Sequence, residues 1–263
     1  MKISIIIPAY NEENRIGDTL EKYSSFFDNT DLDYELLVVI NNTRDKTEEV
    51  VRRIQKRYSR IRFLNIREKG KGNAITVGFK DALKRKPEIL GFVDADMATK
   101  PDSFYRLIVN LKNYDGAIAN RYDKNSVIIP EFTFRRMIVA HIFNFIVRTL
   151  FMLPYQDAQC GAKAFKRNVI ESILKDISIT QWAYDIDILY LIKKQRFKIY
   201  SCPTEWEDKE GSKIKIIESS LEMLLAVIQL RVLHSRFSSL LQPMKKPIGT
   251  IYKFIVNRRK KKL

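Results

Sequence analysis

Two aspartates one residue apart, Asp94 and Asp96, sit in the segment FVDADMATK at residues 92–100. They follow a short apolar run, 89–93, that reads as a buried strand. In extended chain, residues two apart point to the same side, about 6 to 7 Å apart along the backbone. Both carboxylates can therefore face one ligand. At the carboxyl end of a strand in an open α/β sheet, that ligand lies in the crevice where such folds bind small molecules. Two hard oxygen donors cannot enclose a cation alone. They suit Mg²⁺ or Mn²⁺, whose other positions go to water and phosphate oxygens. A diphosphate ligand is implied. An isolated Asp-x-Asp triplet is more often a surface turn, but the strand before this one and the motifs around it favour a binding site.

Two further segments carry chemistry. In IPAYNEE, residues 7–13, an N-terminal strand runs into Pro8, expected to end the ladder, and then Tyr10, Asn11 and Glu12. An aromatic face and polar acceptors at a strand's carboxyl end suit a base-and-ribose pocket, although a plain turn would read the same way. In REKGKGNAITVG, residues 67–78, Gly70 and Gly72 alternate with Lys69 and Lys71. Glycines let backbone N–H groups approach a phosphate, and the following helix offers its N-terminus. The spacing is neither that of a Walker loop nor that of a dinucleotide fingerprint.

The elements that must position these residues alternate. Apolar strands are expected at 3–7, 35–40, 61–66, 89–93 and 116–119, with helical patterns at 14–27, 45–58, 72–85 and 101–111 between them. Thr99 or Lys100 before Pro101 is a suitable helix start. Such alternation predicts an α/β fold, a mostly parallel sheet with helices on both faces. Beyond residue 130 the character changes. The segment 132–153 is apolar nearly all round, with Arg136, His141, Asn144 and Arg148 as a narrow polar stripe. It is either a core helix or one lying in a membrane interface. Ile217, Leu221, Leu224, Leu225, Ile228 and Val232 recur at helical spacing and are expected to pack on the core. From Pro243 on come Lys245, Lys246, Lys253, Arg258, Arg259, Lys260, Lys261 and Lys262 with no acidic residue. Such a tail gains about 1 kcal/mol per cation at an anionic leaflet.

Composition narrows the classes. With 263 residues, 45% hydrophobic, the chain can bury a full core. A net charge of +16 asks for an anionic partner, whether a membrane surface, a phosphorylated substrate or nucleic acid. Cys160 and Cys202 are too few for a disulfide framework and fit a reducing compartment. The opening residues do not read as a signal peptide, and no apolar stretch reaches the roughly 18 to 20 residues that span a bilayer. Neither export nor spanning is expected.

Taken in order, PAYNEE, RDKTEEV, EKGKGNAITVGF, DADMATK, NRY (120–122), DAQCGAKAF (157–165), WAYDIDIL (182–189) and EGSK (210–213) resemble the family 2 glycosyltransferases of the GT-A fold. The resemblance covers about 3–237 and is nearest to the polyprenyl-phosphate branch, the dolichyl-phosphate glucose synthases. It implies a nucleotide-sugar donor, a polyprenyl or dolichyl phosphate acceptor, and inversion through direct attack by the acceptor phosphate. Pro8, Tyr10, Glu12, Asn41, Asn42 and Lys71 would hold the nucleotide. Asp94 would bind ribose and, with Asp96, the metal. Arg121, Arg136 (or its neighbour Arg135) and Lys213 would grip the acceptor phosphate through charge-assisted bonds. Asp157 and Asp185 would flank the reacting centre, as positioning residues, weak bases or ordinary caps and ion-pair partners. A catalytic region at 1–213 and a C-terminal amphipathic helix with a membrane-associating tail at 214–263 follow, with the enzyme peripheral at the cytoplasmic face of a membrane.

One departure bears on the donor. Where the family carries Asp-Asp-Gly-Ser after the second strand, this chain has Ile40-Asn41-Asn42-Thr43-Arg44-Asp45, with amides in place of acids. Asn can still bond a pyrimidine edge; UDP is preferred over GDP, with glucose the favoured sugar and UDP-N-acetylglucosamine and GDP-mannose as alternatives. A non-catalytic membrane or nucleic-acid binding module competes on charge alone, but no aromatic-interleaved basic stripe supports it and no nucleic-acid partner is expected. A sugar-nucleotide pyrophosphorylase would need a Gly-rich basic loop after the first strand, which is missing.

Overall fold

A computed structural model describes residues 1–178, 183–208 and 216–235. In chain order the elements are β1 (Lys2–Ala9), α1 (Ile16–Asp28), β2 (Asp33–Asn41), α2 (Thr47–Gln55), β3 (Ile61–Ile66), α3 (Lys71–Leu83), β4 (Ile89–Phe92), α4 (Pro101–Asn110) and β5 (Gly116–Asn120). They continue with β6 (Val127–Ile129), α5 (Phe134–Phe151), β7 (Lys163–Lys166), α6 (Arg167–Ile173), α7 (Tyr184–Lys194), β8 (Ile199–Pro203), β9 (Glu205–Glu207) and α8 (Ile216–Leu233). The main sheet has seven strands in the order β3-β2-β1-β4-β7-β5-β8, and β6 pairs with β9 apart from it. All pairs are parallel except those of β7, which runs against both β4 and β5.

Side-chain alternation along the strands sorts the core into two layers. Ile3, Ile5, Ile7, Leu36, Val38 and Ile40 face α1, α2 and α4, burying Leu20, Tyr23, Phe27, Val51, Phe104 and Leu107. Ile6, Leu37, Val39, Leu90 and Phe92 face α3, α6 and α7 on the opposite side. The five expected strands and four expected helices of the first 120 residues are present, with ends shifted by up to three residues. Helix α2 begins late because the Asp45 carboxylate accepts the Thr47 N–H at 3.0 Å and turns the chain first. Helix α4 starts at Pro101 after extended Lys100, as proline's fixed φ favours.

Two expectations need correction. Pro8 does not end the ladder, because β1 pairs with β2 through Pro8↔Val39 and Ala9↔Ile40. Ile6 accepts from the Val93 N–H on the β4 side, so the nitrogen of Pro8 two residues on points where β4 has already turned away. Its missing N–H costs no bond. Of the stripe Ile217, Leu221, Leu224, Leu225, Ile228 and Val232, the four with described side chains do not form the buried face of α8, and the side chains of Ile217 and Leu221 lie outside the described residues. Val227 and Leu230 are buried against α5 and α7, while Leu225 and Ile228 are exposed. The helix is apolar nearly all round, so spacing alone could not choose its core face.

Helix α5 resolves the choice between core and surface by doing both. Phe143, Val147 and Phe151 are buried in a third cluster with Ile118, Ile186 and Leu189. On the opposite face Phe134 and Phe145 are each 70% exposed, with Ile138 and Ile142 exposed between them. Among the described residues no helix is long and apolar enough to cross a membrane. The basic tail beyond Pro243 lies outside the described residues.

Candidate active site

The Asp-Ala-Asp turn leaves β4 with Met97 in a left-handed conformation, φ 59°. That reversal brings the Ala98 N–H back onto Asp96 Oδ1 at 3.0 Å. Both carboxylates remain about a third exposed. Each faces a cation: the ammonium of Lys71, from the N-terminal turn of α3, pairs with Asp94, and Arg15 Nη1 lies 4.0 Å from Asp96 Oδ2. Burial and then the neighbouring charge of Asp94 raise Asp96 above the usual carboxylate value. Burial alone would lower Lys71, but Asp94, Asp185 and Asp96 outweigh it and hold the ammonium charged.

The loop 157–161 closes this turn from the other side. A Cβ on Gly161 would collide with the Asp94 carboxylate; even Oδ1, the farthest of its three atoms, would be 2.9 Å away. Glycine is required there by close approach. Gly72 serves differently from expectation: its missing side chain makes room for the Tyr184 ring, whose Cδ2 would be 2.5 Å from a Cβ. Gly70, at φ 116°, is the residue of that loop that needs glycine's backbone freedom.

The nucleotide candidates divide. Tyr10 is exposed and offers its ring face. Glu12 is engaged: Arg15 grips its carboxylate through Nε and Nη2, both at 2.7 Å, and its carbonyl receives the N–H groups of Arg15 and Ile16. Burial, followed by the aspartates' charge, raises Glu12 despite Arg15. It positions Arg15 beside Asp96. Asn11 stitches two loops, its Oδ1 accepting from the Arg44 N–H at 2.9 Å. Asn41 is buried with Oδ1 unpartnered among the described residues, and Asn42 stands at φ 56° beside it. The shallow groove of about 400 Å³ lined by Thr43, Arg44, Asp45, Glu48, Glu49, Arg52 and Asn65 contains none of the aspartate-turn residues. It lies beside α2, and its Thr43, Arg44 and Asp45 bond Asn11 and Glu13 of the loop after β1.

Asp157 and Arg121 form one unit. Arg121 donates through Nε (2.7 Å), Nη2 (3.0 Å) and its backbone N–H (3.0 Å), and the Gln159 and Cys160 N–H groups complete the carboxylate's shell. Burial would raise Asp157, but Arg121 and these donors hold it below the usual range. A fully buried, fully bonded carboxylate held ionised is a poor proton acceptor, so among its readings the positioning role is the one this geometry supports. Asp185, in the first turn of α7, pairs with the buried Lys163 at 2.6 Å, and Lys163 also donates to the Cys160 carbonyl at 2.6 Å. Arg136, in the first turn of α5, pairs with Asp208. The side chain of Arg135 and the whole of Lys213 lie outside the described residues.

Sequence reasoning did not single out Arg15, Gly161, Lys163, Trp206 or Asp208. Lys163 and Gly161 lie inside the quoted DAQCGAKAF motif, where a lysine flanked by alanines was the available signal. The other three become visible only through contacts across the chain.

The donor set fits Mg²⁺ or Mn²⁺. Among the described residues no three His, Cys, Asp or Glu side chains gather to form a protein cage. Two carboxylates, each already facing a cationic side chain, suit an ion that takes its remaining ligands from water and a bound diphosphate.

Comparisons with known proteins agree with this geometry. The model of "Glycosyl transferase family 2" matches residues 4–174. A dolichyl-phosphate beta-glucosyltransferase of Drosophila melanogaster is 31% identical over 85% of this chain and 72% of its own length. The enzyme of that name from Dictyostelium discoideum is 29% identical over 87% and 73%. Glucosyl-3-phosphoglycerate synthase from Mycobacterium tuberculosis, solved with Mn²⁺, UDP-glucose and phosphoglyceric acid, shares the fold at a TM-score of 0.60 and 17% identity, over 89% of this chain and 81% of that one. The sheet order, the aspartate turn and the family match together place the chain in glycosyl transferase family 2, as a glycosyltransferase of the GT-A fold.

Proposed function

We propose that this enzyme transfers glucose from UDP-glucose to dolichyl phosphate or a related polyprenyl phosphate, inverting the anomeric carbon. The observation that carries the reading is the meeting of two charged clusters: the aspartate turn with Lys71 and Arg15, and Arg121 with Arg136 beyond the 157–161 loop. The names of the relatives supply glucose and dolichyl phosphate.

The acceptor phosphate is ionised near neutral pH and needs no base. One of its oxygens attacks the anomeric carbon. The bond to the donor's β-phosphate breaks, and the nucleoside diphosphate leaves with the electron pair. Lys71 is placed to take up charge developing there, and Arg121 and Arg136 hold the attacking phosphate in line. A bound Mg²⁺ or Mn²⁺ would be held by Asp94 and Asp96 and would offset charge on the leaving diphosphate as a Lewis acid. Asp157 fixes Arg121, and Lys163 fixes Asp185. Tyr10, Pro8, Asn41 and Asn42 bound the nucleotide's end of the crevice. Lys213 and Arg135 would add to the phosphate grip.

The prenyl chain would lie in the leaflet beside α5 and α8, whose exposed apolar residues face away from the core. The catalytic region 1–213 and the membrane-associating region 214–263 belong to the same proposal, with the protein peripheral at the cytoplasmic face. Changing Ile142 and Phe145 together to Asp is expected to lower partition into anionic vesicles about tenfold or more, with UDP binding unchanged. Equal vesicle binding by the variant would remove α5 from the docking surface.

The deciding assay offers UDP-glucose, UDP-N-acetylglucosamine and GDP-mannose separately, with Mg²⁺ and a short-chain polyprenyl phosphate, and follows glycolipid by mass. Product from UDP-glucose alone is expected. Product from another donor would reassign the sugar or the base, and product from none would overturn the acceptor.

A further inference from the structure

Strand β9 joins the two halves of the site. On one side the Glu207 N–H bonds the Ala98 carbonyl at 2.9 Å, and Trp206 bridges Thr99, two and three residues beyond Asp96. On the other side β9 runs parallel to β6, and the Asp208 N–H reaches the Ile129 carbonyl at 2.7 Å. The indole of Trp206 stands between these attachments. The guanidinium carbons of Arg121 and Arg136 lie 5.5 Å and 5.6 Å from its ring centre. The Phe132 ring lies 5.6 Å from it and stacks with Arg136 in turn, at 4.8 Å.

Both guanidiniums lie within cation–aromatic range of one indole. Like charges so close repel, and each is held by a separate carboxylate, Asp157 for Arg121 and Asp208 for Arg136. The carboxylates fix one edge of each guanidinium and the indole fixes its plane. Trp206 is partly buried and packs against the core on that face of the sheet, and its ring also contacts both guanidiniums.

We infer that Trp206 is a positioning residue, setting the two arginines of the acceptor site at a fixed distance from the aspartate turn of the donor site. The inference rests on the acceptor reading proposed above. Because the backbone bonds of β9 survive a side-chain change, the acceptor side should respond and the donor side should not.

The test compares Trp206→Ala, Trp206→Leu and Trp206→Phe in the full chain. It reads the KM for a short-chain polyprenyl phosphate, the KM for UDP-glucose, and UDP affinity with Mn²⁺ by calorimetry. Trp206→Ala and Trp206→Leu are expected to raise the acceptor KM about tenfold. Donor KM and UDP affinity should stay within about twofold, and Trp206→Phe, which keeps a ring face, should restore most of the loss. Should the alanine variant fail to fold, the leucine–phenylalanine comparison decides alone. Equal behaviour of Leu and Phe, or a parallel fall in donor affinity, would overturn the inference by making Trp206 a packing residue. Arg136→Ala is the control for the underlying reading. If it raises the acceptor KM while Trp206→Ala does not, only the role of Trp206 falls. If Arg136→Ala leaves that KM unchanged, the acceptor site falls, and this inference with it.

Discussion

Asp96→Ala is expected to lower turnover about a thousandfold or more while the protein still folds. The carboxylate is partly exposed, Arg15 lies 4.0 Å from it and Lys71 keeps its pairing with Asp94, so its loss strands no buried charge. Gly161→Ala should lower turnover about a hundredfold without replacing either aspartate. The methyl group would collide with the Asp94 carboxylate, which ends a side chain one-third exposed and paired with Lys71, so it can swing aside with its partner. The fold gives way cheaply, and the site does not. A displaced ligand of this kind costs about a hundredfold, with the melting temperature within about 4 °C of the parent. Turnover with UDP-glucose, Mn²⁺ affinity in the presence of UDP, and thermal melting on the same samples check both variants. Full activity in Gly161→Ala would mean that the donor does not use Asp94 where the structure holds it.

Asp157→Ala carries the largest expected stability effect. Asp157 is fully buried and the Arg121 side chain 16% exposed, with a bidentate contact between them. Removing one member of such a pair leaves an uncompensated charge and costs about 3–5 kcal/mol. Removing both, in Asp157→Ala with Arg121→Met, is expected to recover a good part of that loss. The pair also leaves a pH signature. The folded state holds Asp157 below its ordinary value of 3.8, so its stabilisation is complete above that value and is lost as pH falls through the lowered folded value. Denaturant unfolding followed downward in pH should therefore show the parent losing stability below about pH 4 by more than Asp157→Asn does. Parallel curves would show that Asp157 titrates normally.

Much of this molecule could be read from sequence wherever the determinants are local. The apolar runs of β1 to β5 announce themselves, as does the aspartate turn, because a strand end and its first polar residues are neighbours in the chain. Strand β7 was missed for a physical reason. Its four residues, KAFK, have lysines at both ends, and only insertion between β4 and β5 makes them a strand. Lys163 looks like a surface residue and is fully buried. The partners within the candidate site were equally illegible. Lys71 with Asp94, Arg121 with Asp157 and Arg136 with Asp208 are 23, 36 and 72 residues apart, and only the topology brings them together. Of the readings open to Asp157, its bonds to Arg121 favour the positioning and ion-pair ones, while Glu12, expected to hold the nucleotide, has its carboxylate gripped by Arg15.

The reversed strand has a consequence for how the chain is made. Strand β4 ends at Phe92, and its outer partner begins at Lys163, 163 − 92 = 71 residues later. The edge of β4 that β7 covers has no other strand partner in the sheet, and β5 reaches β4 only through β7. The first 92 residues contain every strand needed to pair β1 through β4, and a sheet of those four alone would present the bare edge of β4 to other chains. Four residues late in the sequence decide when the two halves become one sheet.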